Sequence, residues 1–357
     1  AGSAMSQPPE HRRPRVKPKG LARLTAIVLV VALAFVAWFT SRDPATPAAQ
    51  ADPVASSHNH TGDLSQPDPA TAPTSSGPTS SGPTTQQPVL RAHQLRVPYL
   101  HVPLSPGACM LLPPTHGNRH EVVALDPGHG GLDPGSVARL PGRKPLEEKT
   151  VTLPVAKDTA AILRAHGITV VMTRTRDTNS VVLPAKDRDG TLMRPAGVHL
   201  DVYARVLCAN AAHANAFVSI HFNLYSDPSV GGCNTHYDST RPFGAQNKRL
   251  AVMVQQSLTH ALSAAGAPVP NRGIVNWNQN NAEATSPEGD AYGHLLVLGP
   301  RKAGYNDHPT SMPGVLIEPM FISNPHEATL ATTPATQHVM AAGLASALET
   351  FLAHSRH

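Results

Sequence analysis

The 357-residue chain carries 36 prolines and 26 glycines but only 4% aromatic residues, so much of it lies outside any packed core and one folded domain is expected rather than two. Its net charge of +5 is concentrated in Arg12, Arg13, Arg15, Lys17, Lys19 and Arg23 against Glu10, which leaves the remainder balanced. A neutral folded region gives no case for nucleic acid as a partner, and the three cysteines, Cys109, Cys208 and Cys233, include no CxxC pair or other zinc spacing.

Residues 1–4, ahead of Met5, read as an appended scar, and residues 1–20 as a basic cytoplasmic tail. From Leu24 to Thr40 the chain is uncharged and apolar all round; counted from the preceding residues it approaches the ~20 needed to cross a bilayer. Residues 21–40 are therefore expected to be a transmembrane anchor with its amino end in the cytoplasm. A cleaved signal peptide ending near Ala49-Gln50-Ala51 is the alternative, and either one exports the rest. Residues 41–88 are rich in Pro, Ser, Thr, Ala and Gly, with the near-repeat Pro73-Thr74-Ser75-Ser76-Gly77 and Pro78-Thr79-Ser80-Ser81-Gly82. Such a tract buries too little apolar surface to fold and is expected to be a disordered linker, in which His58 and His60 are simply solvated. Residues 89–120 form a transition segment, with Val97-Pro98-Tyr99-Leu100 expected as an edge strand.

The folded domain is expected over residues 121–357. Val122 to Asp126 is a β-branched run broken at once by Pro127-Gly128-His129-Gly130-Gly131, which reads as a buried strand ending in a tight turn that carries His129. Taken alone, that stretch reads equally as a Gly-rich turn with a solvated histidine. A helix follows from near Glu147 to Gly167, then a strand over Ile168 to Arg174, so that the unit is βαβ with a right-handed crossover. After a polar excursion, Asp201 to Ala212 reads as a helix with Arg205 toward an edge, and Ala216 to Asn223 repeats the opening pattern, delivering His221 at a strand end. Further on, Gly231–Tyr237, Leu295–Leu298 and Gly314–Glu318 read as strands, and Asn247–Ala265 and Pro334–Ala353 as helices. The loop from Asn276 to Gly293, with Trp277 and Tyr292, is either surface filler or a sugar-contacting rim. The sum is an α/β fold: a single three-layer domain with a mostly parallel central sheet and helices on both faces. Cys208 before the His221 strand and Cys233 after it are the expected disulfide pair.

Element ends thus present His129, Glu148 and His221, and a further strand ends on Glu318. Two imidazoles and one carboxylate form a common catalytic zinc set with a fourth position open for water. A carboxylate that is not a ligand, here Glu318, suits the role of proton shuttle. Spacing alone does not bring the four together.

The segments Leu125 to Gly131, Glu148 to Leu153, Val171 to Asp177, Arg205 to Asn210, Phe217 to Asn223 and Val315 to Pro325 fall in an order that resembles the zinc-dependent N-acetylmuramoyl-L-alanine amidases. The resemblance spans roughly two thirds of the chain, from Glu121 onward. It implies one Zn2+ per chain held by His129, Glu148 and His221, with Glu147 the fallback for Glu148, Glu318 as catalytic acid/base, and Asn223 and Arg205 as substrate contacts. It also implies cleavage of the bond between N-acetylmuramic acid and L-alanine of the stem peptide. Peptidoglycan is then the partner, the membrane is met only through the amino-terminal segment, and a monomer in the cell envelope is expected. Pro319, Met320 and Phe222 depart from the family pattern and are expected to narrow the cleft floor; the short stretch from Asn223 to Asn247 leaves no room for a long blocking helix. A non-catalytic wall-binding or division scaffold, or another zinc hydrolase of the wall, are the competing readings.

Overall fold

Strands form where the sequence places apolar runs rich in β-branched residues, and three more form where it gives little warning. In the computed structural model, which describes residues 91–277 and 287–355, eight strands make one sheet: β1 (His93–Gln94), β2 (Ala108–Leu112), β3 (Val122–Pro127), β4 (Thr169–Arg174), β5 (Ala216–Ile220), β6 (Cys233–Tyr237), β7 (Asn271–Asn276) and β8 (Gly314–Glu318). Their order is β1-β2-β4-β3-β5-β8-β6-β7, with β4-β3, β3-β5, β5-β8 and β6-β7 parallel and the other pairs antiparallel. The tail, membrane segment and linker expected over residues 1–88 lie outside the described residues. Among those described, no helix is long and apolar enough to cross a membrane.

Successive side chains alternate between the two faces of the sheet, and each face has its own helices. Val123 and Leu125 of β3, with Val218 and Ile220 of β5, pack against α1 (Lys149–Ala165), α3 (Gly244–Ala264) and the closing α6 (Pro334–His354). Ala124 and Phe217, one residue out of phase, pack against α2 (Pro195–Ala211). A short α4 (Pro287–Tyr292) lies in the segment before β8, and α5 (Pro325–Thr332) precedes α6, with the Asn324 side chain accepting from the amides of His326 and Glu327. From β3 the chain crosses through α1 to β4 on one side; from β4 it crosses through α2 to β5 on the other. The ends of β3 and β5 therefore meet where the strand order reverses, the place at which open α/β sheets form a crevice.

Several expectations are corrected. Val97-Pro98-Tyr99-Leu100 is no edge strand: Tyr99 has φ +64 and is exposed, and the edge is built by β1 and β2 instead, so the transition segment already belongs to the sheet. Leu295–Leu298 is a turn, not a strand; every ladder position beside β8 is taken by β5 and β6, and Val297 and Leu298 serve as core filling on the α2 face. The helix expected from Asp201 starts at Pro195, because proline is well suited to a first helical turn. The Cys208–Cys233 pairing is also overturned. Cys208 joins Cys109 of β2, with Cα atoms 5.5 Å apart, on the α2 face, whereas Cys233 projects into the opposite core and is free.

The bridge closes a sequence separation of 99 residues. For a loop of that size reduction is expected to cost about 4–5 kcal/mol. Urea unfolding with and without reductant checks this: Cys109→Ser should match the reduced chain, and Cys233→Ala should still show the reductant-sensitive step.

Candidate metal centre

The turn after β3 holds His129 in a left-handed conformation, φ +61, between residues that make such a backbone tolerable. Its cost is offset by side chains that take up one carbonyl after another. Arg174 Nε and Arg205 Nη1 donate to Pro127 O, both at 2.9 Å, and Arg174 Nη2 and Thr152 Oγ1 to Gly128 O, both at 2.9 Å. Arg205 Nη2 donates to His129 O (2.7 Å), Asn179 Nδ2 to Gly130 O (3.1 Å) and Lys149 Nζ to Gly131 O (2.9 Å). Asp133 Oδ2 lies 2.9 Å from His129 Nδ1 and so turns the Nε2 edge of the ring toward Glu148.

Glu148 stands just before α1, buried, with each oxygen doubly engaged. Oε2 accepts from Ser136 N (2.8 Å) and lies 3.1 Å from His129 Nε2. Oε1 accepts from Phe222 N (2.8 Å) and lies 3.0 Å from His221 Nδ1. The ligand atoms of His129, Glu148 and His221 all lie within 4.8 Å of one another, and among the described residues this is the group that could hold a metal ion. Glu147 points elsewhere, pairing with Lys149 across 3.4 Å. Two glycines make room. A Cβ at Gly128 would stand 2.4 Å from the His221 ring, and one at Gly135, φ +68, within 2.7 Å of His129 and Glu148.

The electrostatics of this cluster call for a cation. Burial alone would lower the His129 pKa, but the Glu148 charge and the Asp133 contact overcome it and raise it to about 10. Burial likewise opposes ionisation of Glu148, yet the His129 charge and the two imidazole contacts hold its carboxyl well below the usual range. Two imidazole nitrogens aimed at one buried carboxylate need a proton or a metal ion between them; the donor set fits zinc.

Arg205 is not at the rim. It is 2% exposed, and its five N–H bonds go to Asp126, Asp201 (twice), Pro127 O and His129 O, so it holds the turn from below. Asn223 is likewise turned inward, donating from Nδ2 to Glu318 Oε2 at 2.7 Å. Glu318 ends β8 beside His221: Ile317 pairs with Ile220, and His221 N donates to Ile317 O (2.9 Å). Phe222 and Met320 do not narrow the cleft floor, because both are buried in the core on the far face. Asn234 and His236 beside Glu318 were not foreseen, although two polar residues at period two within the fully buried β6 are a signal of a purpose other than packing. Trp277, the last residue before the undescribed stretch 278–286, lines one groove with His129, His221, Val198, Val202 and Leu295.

A family model described as N-acetylmuramoyl-L-alanine amidase matches residues 123–350. The germination-specific N-acetylmuramoyl-L-alanine amidase of Bacillus subtilis is 31% identical over 63% of this chain and 76% of its own. The N-acetylmuramoyl-L-alanine amidase AmiC of Neisseria meningitidis is 30% identical over 66% of this chain; the match spans about half, 53%, of that relative. Among solved structures, the CwlD amidase of Clostridioides difficile in complex with the GerS lipoprotein has the same fold, with a TM-score of 0.50 at 22% identity, covering 65% of this chain and 98% of that one.

Two outcomes are expected from this geometry. Arg205→Met leaves Asp126 and Asp201 buried without their counter-charge, and urea unfolding should show a loss of about 3–5 kcal/mol. Because His129 without a metal is protonated up to about pH 10, loading a divalent ion at neutral pH should expel close to one proton per chain. Calorimetry in buffers of different ionisation enthalpy measures that release, and metal affinity should rise with pH until the window near 10.

Proposed function

The chain belongs to the N-acetylmuramoyl-L-alanine amidase family and cleaves the amide joining N-acetylmuramic acid to the L-alanine of peptidoglycan stem peptides; we propose that it does so with one zinc ion on His129, Glu148 and His221 and with Glu318 as acid/base. The observation that carries this reading is the convergence of the three ligand atoms within 4.8 Å, from two strand ends and a helix start drawn from distant parts of the sequence.

Bound there, zinc supplies Lewis acidity toward the scissile carbonyl and lowers the pKa of water to about 7. The chain's own residues do the rest. Asp133 fixes the orientation of His129, and the amides of Ser136 and Phe222 fix that of Glu148, so two of the three donors are oriented by groups outside the set. Glu318, at the same strand ends as His221, takes the proton of the attacking water and returns it to the departing amine of L-alanine. The groove bordered by Val198 and Val202 of α2 on one side and Leu295 on the other receives the stem peptide with its apolar walls.

For the remainder of the chain we take residues 21–40 as an anchor and 41–88 as a spacer, which puts a monomeric catalytic domain outside the cytoplasm within reach of the wall. The basic flank and the composition of the spacer support this.

Digestion of purified peptidoglycan by the full chain tests the mechanism. Metal analysis should find close to one zinc per chain, and a chelator should abolish release of stem peptides with free L-alanine amino termini. His129→Ala and His221→Ala should lose metal and activity together. Glu318→Gln should keep its zinc while kcat falls by about 10²–10⁴, the usual worth of a positioned acid/base. Retention on peptidoglycan without any release would favour a binding scaffold instead, and a different cleaved bond another hydrolase.

A further inference from the structure

Glu318 is held by one of its two oxygens only. Oε2 receives Asn223 Nδ2 at 2.7 Å and His236 Nε2 at 2.9 Å and has the Asn234 amide 3.2 Å away, while among the described residues no hydrogen bond reaches Oε1. The antiparallel pairing of β6 with β8 produces this arrangement. Asn234 stands directly opposite Glu318 and His236 opposite Leu316, and residues facing each other across a ladder, like residues two apart on one strand, share a face of the sheet. Both β6 side chains therefore arrive beside the carboxylate, at 2.7 Å from each other.

His236 has a fixed tautomer. Trp277 Nε1 lies 2.5 Å from His236 Nδ1, and an indole nitrogen can only donate, so Nδ1 is the acceptor and the imidazole proton sits on Nε2, facing Glu318; the Asn234 amide, 2.7 Å from Nε2, then presents its oxygen to that nitrogen, which also gives its otherwise unpartnered Oδ1 a donor. Trp277 is itself pinned to the end of β6, its backbone N donating to Tyr237 O at 2.8 Å. The rings of His236 and Trp277 meet edge-on, with centroids 5.6 Å apart, and His236 is buried.

We propose that His236, with its tautomer set by Trp277, is a positioning residue that clamps Oε2 of Glu318 and leaves Oε1 as the oxygen that exchanges the proton with water and leaving group. This rests on the acid/base reading of Glu318. A glutamate at a strand end has three side-chain torsions to fix, and Asn223 alone supplies one restraint; the donor from β6 adds a second from the opposite side and confines the carboxylate plane. The consequence falls on turnover rather than on affinity, since neither His236 nor Oε2 has to touch the substrate.

The test uses the full chain on peptidoglycan, with zinc content and melting temperature measured for each variant. His236→Met, similar in bulk but without an N–H, should lower kcat about 10- to 100-fold, the worth of one hydrogen bond to a charged group, with KM within about twofold. His236→Gln keeps an N–H donor and should recover most of that loss. Trp277→Phe leaves the core of the clamp in place but frees the tautomer, and should lower kcat severalfold. Equal impairment by Met and Gln, or a kcat unchanged in both His236→Met and Trp277→Phe, overturns the inference; should His236→Met not fold, Trp277→Phe decides alone. Glu318→Gln separates the two layers. If it keeps wild-type kcat, the acid/base reading itself falls; if it loses activity while the His236 and Trp277 variants do not, only the clamp falls.

Discussion

Five consecutive carbonyls at the end of β3, those of residues 127–131, each accept from at least one side chain, Gly130 O accepting from the amide of Asp133 as well. No strand partner could do this, because the chain there runs through left-handed residues in succession and presents its carbonyls in several directions. The donors come from every layer around the turn. Arg174 reaches up from β4, Thr152 and Lys149 from the first turns of α1 on one face, and Arg205 from α2 on the other. His129 is placed by this convergence and not by local preference. A histidine with φ +61 is uncommon on its own, and it persists here because the surroundings determine it several times over.

The same logic explains why the site's two halves are built differently. His129, Glu148 and His221 gather across parallel strands and one helix start, which brings residues from far apart in sequence to one edge of the sheet. Glu318 lies at that edge as well, but its restraints come from β6, which runs the other way. In a wholly parallel sheet the neighbour of β8 would carry its chain away from the edge in the same sense as β8, and the residues opposite Glu318 would be the last of that strand too. Reversal of β6 instead places its beginning beside Glu318, so Asn234 and His236 enter the site as ordered strand residues rather than as loop residues.

This division sets what could be read in the sequence. The strands holding Val122–Asp126, Thr169–Arg174, Ala216–Ile220 and Gly314–Glu318 are largely apolar runs containing β-branched residues, with both faces buried, and such runs announce themselves. The resemblance then supplied the joining of His129, Glu148 and His221, which spacing alone could not. Short edge strands gave no such signal: Ala108–Leu112 joins the sheet through pairing with β4, a tertiary fact. Leu295–Leu298 is as apolar as a strand, yet it fills a core with no free ladder to join. The cysteines were misjoined for a related reason. Proximity in sequence order to His221 says nothing about parity, and Cys233 projects from β6 toward the face opposite Cys208. The structural role of Arg205 was not legible either, because a charged residue in a helix suggests an exposed partner until Asp126 and Asp201 are seen beside it.

Charge balance ties the support to the metal centre. Beneath and within the site, three carboxylates are almost wholly buried, those of Asp126, Asp201 and Glu148, against two buried guanidiniums, Arg174 and Arg205. Burial opposes ionisation of Asp126, and the Arg205 charge with the Thr173 and Ser219 hydroxyls reverses that and lowers its pKa. The arginines are thus committed to Asp126, Asp201 and the turn carbonyls, and neither is directed at Glu148. One buried negative charge remains, and apart from the amides of Ser136 and Phe222 the groups against it are the two imidazoles. In the absence of a metal His129 answers by keeping a proton far above its ordinary range; a divalent ion answers more fully, and Asp133 on the outer side of His129 offsets part of the surplus. The framework that shapes the turn therefore also leaves its anionic centre without a committed guanidinium, which is the charge arrangement that a metal-binding group of two imidazoles and a carboxylate requires.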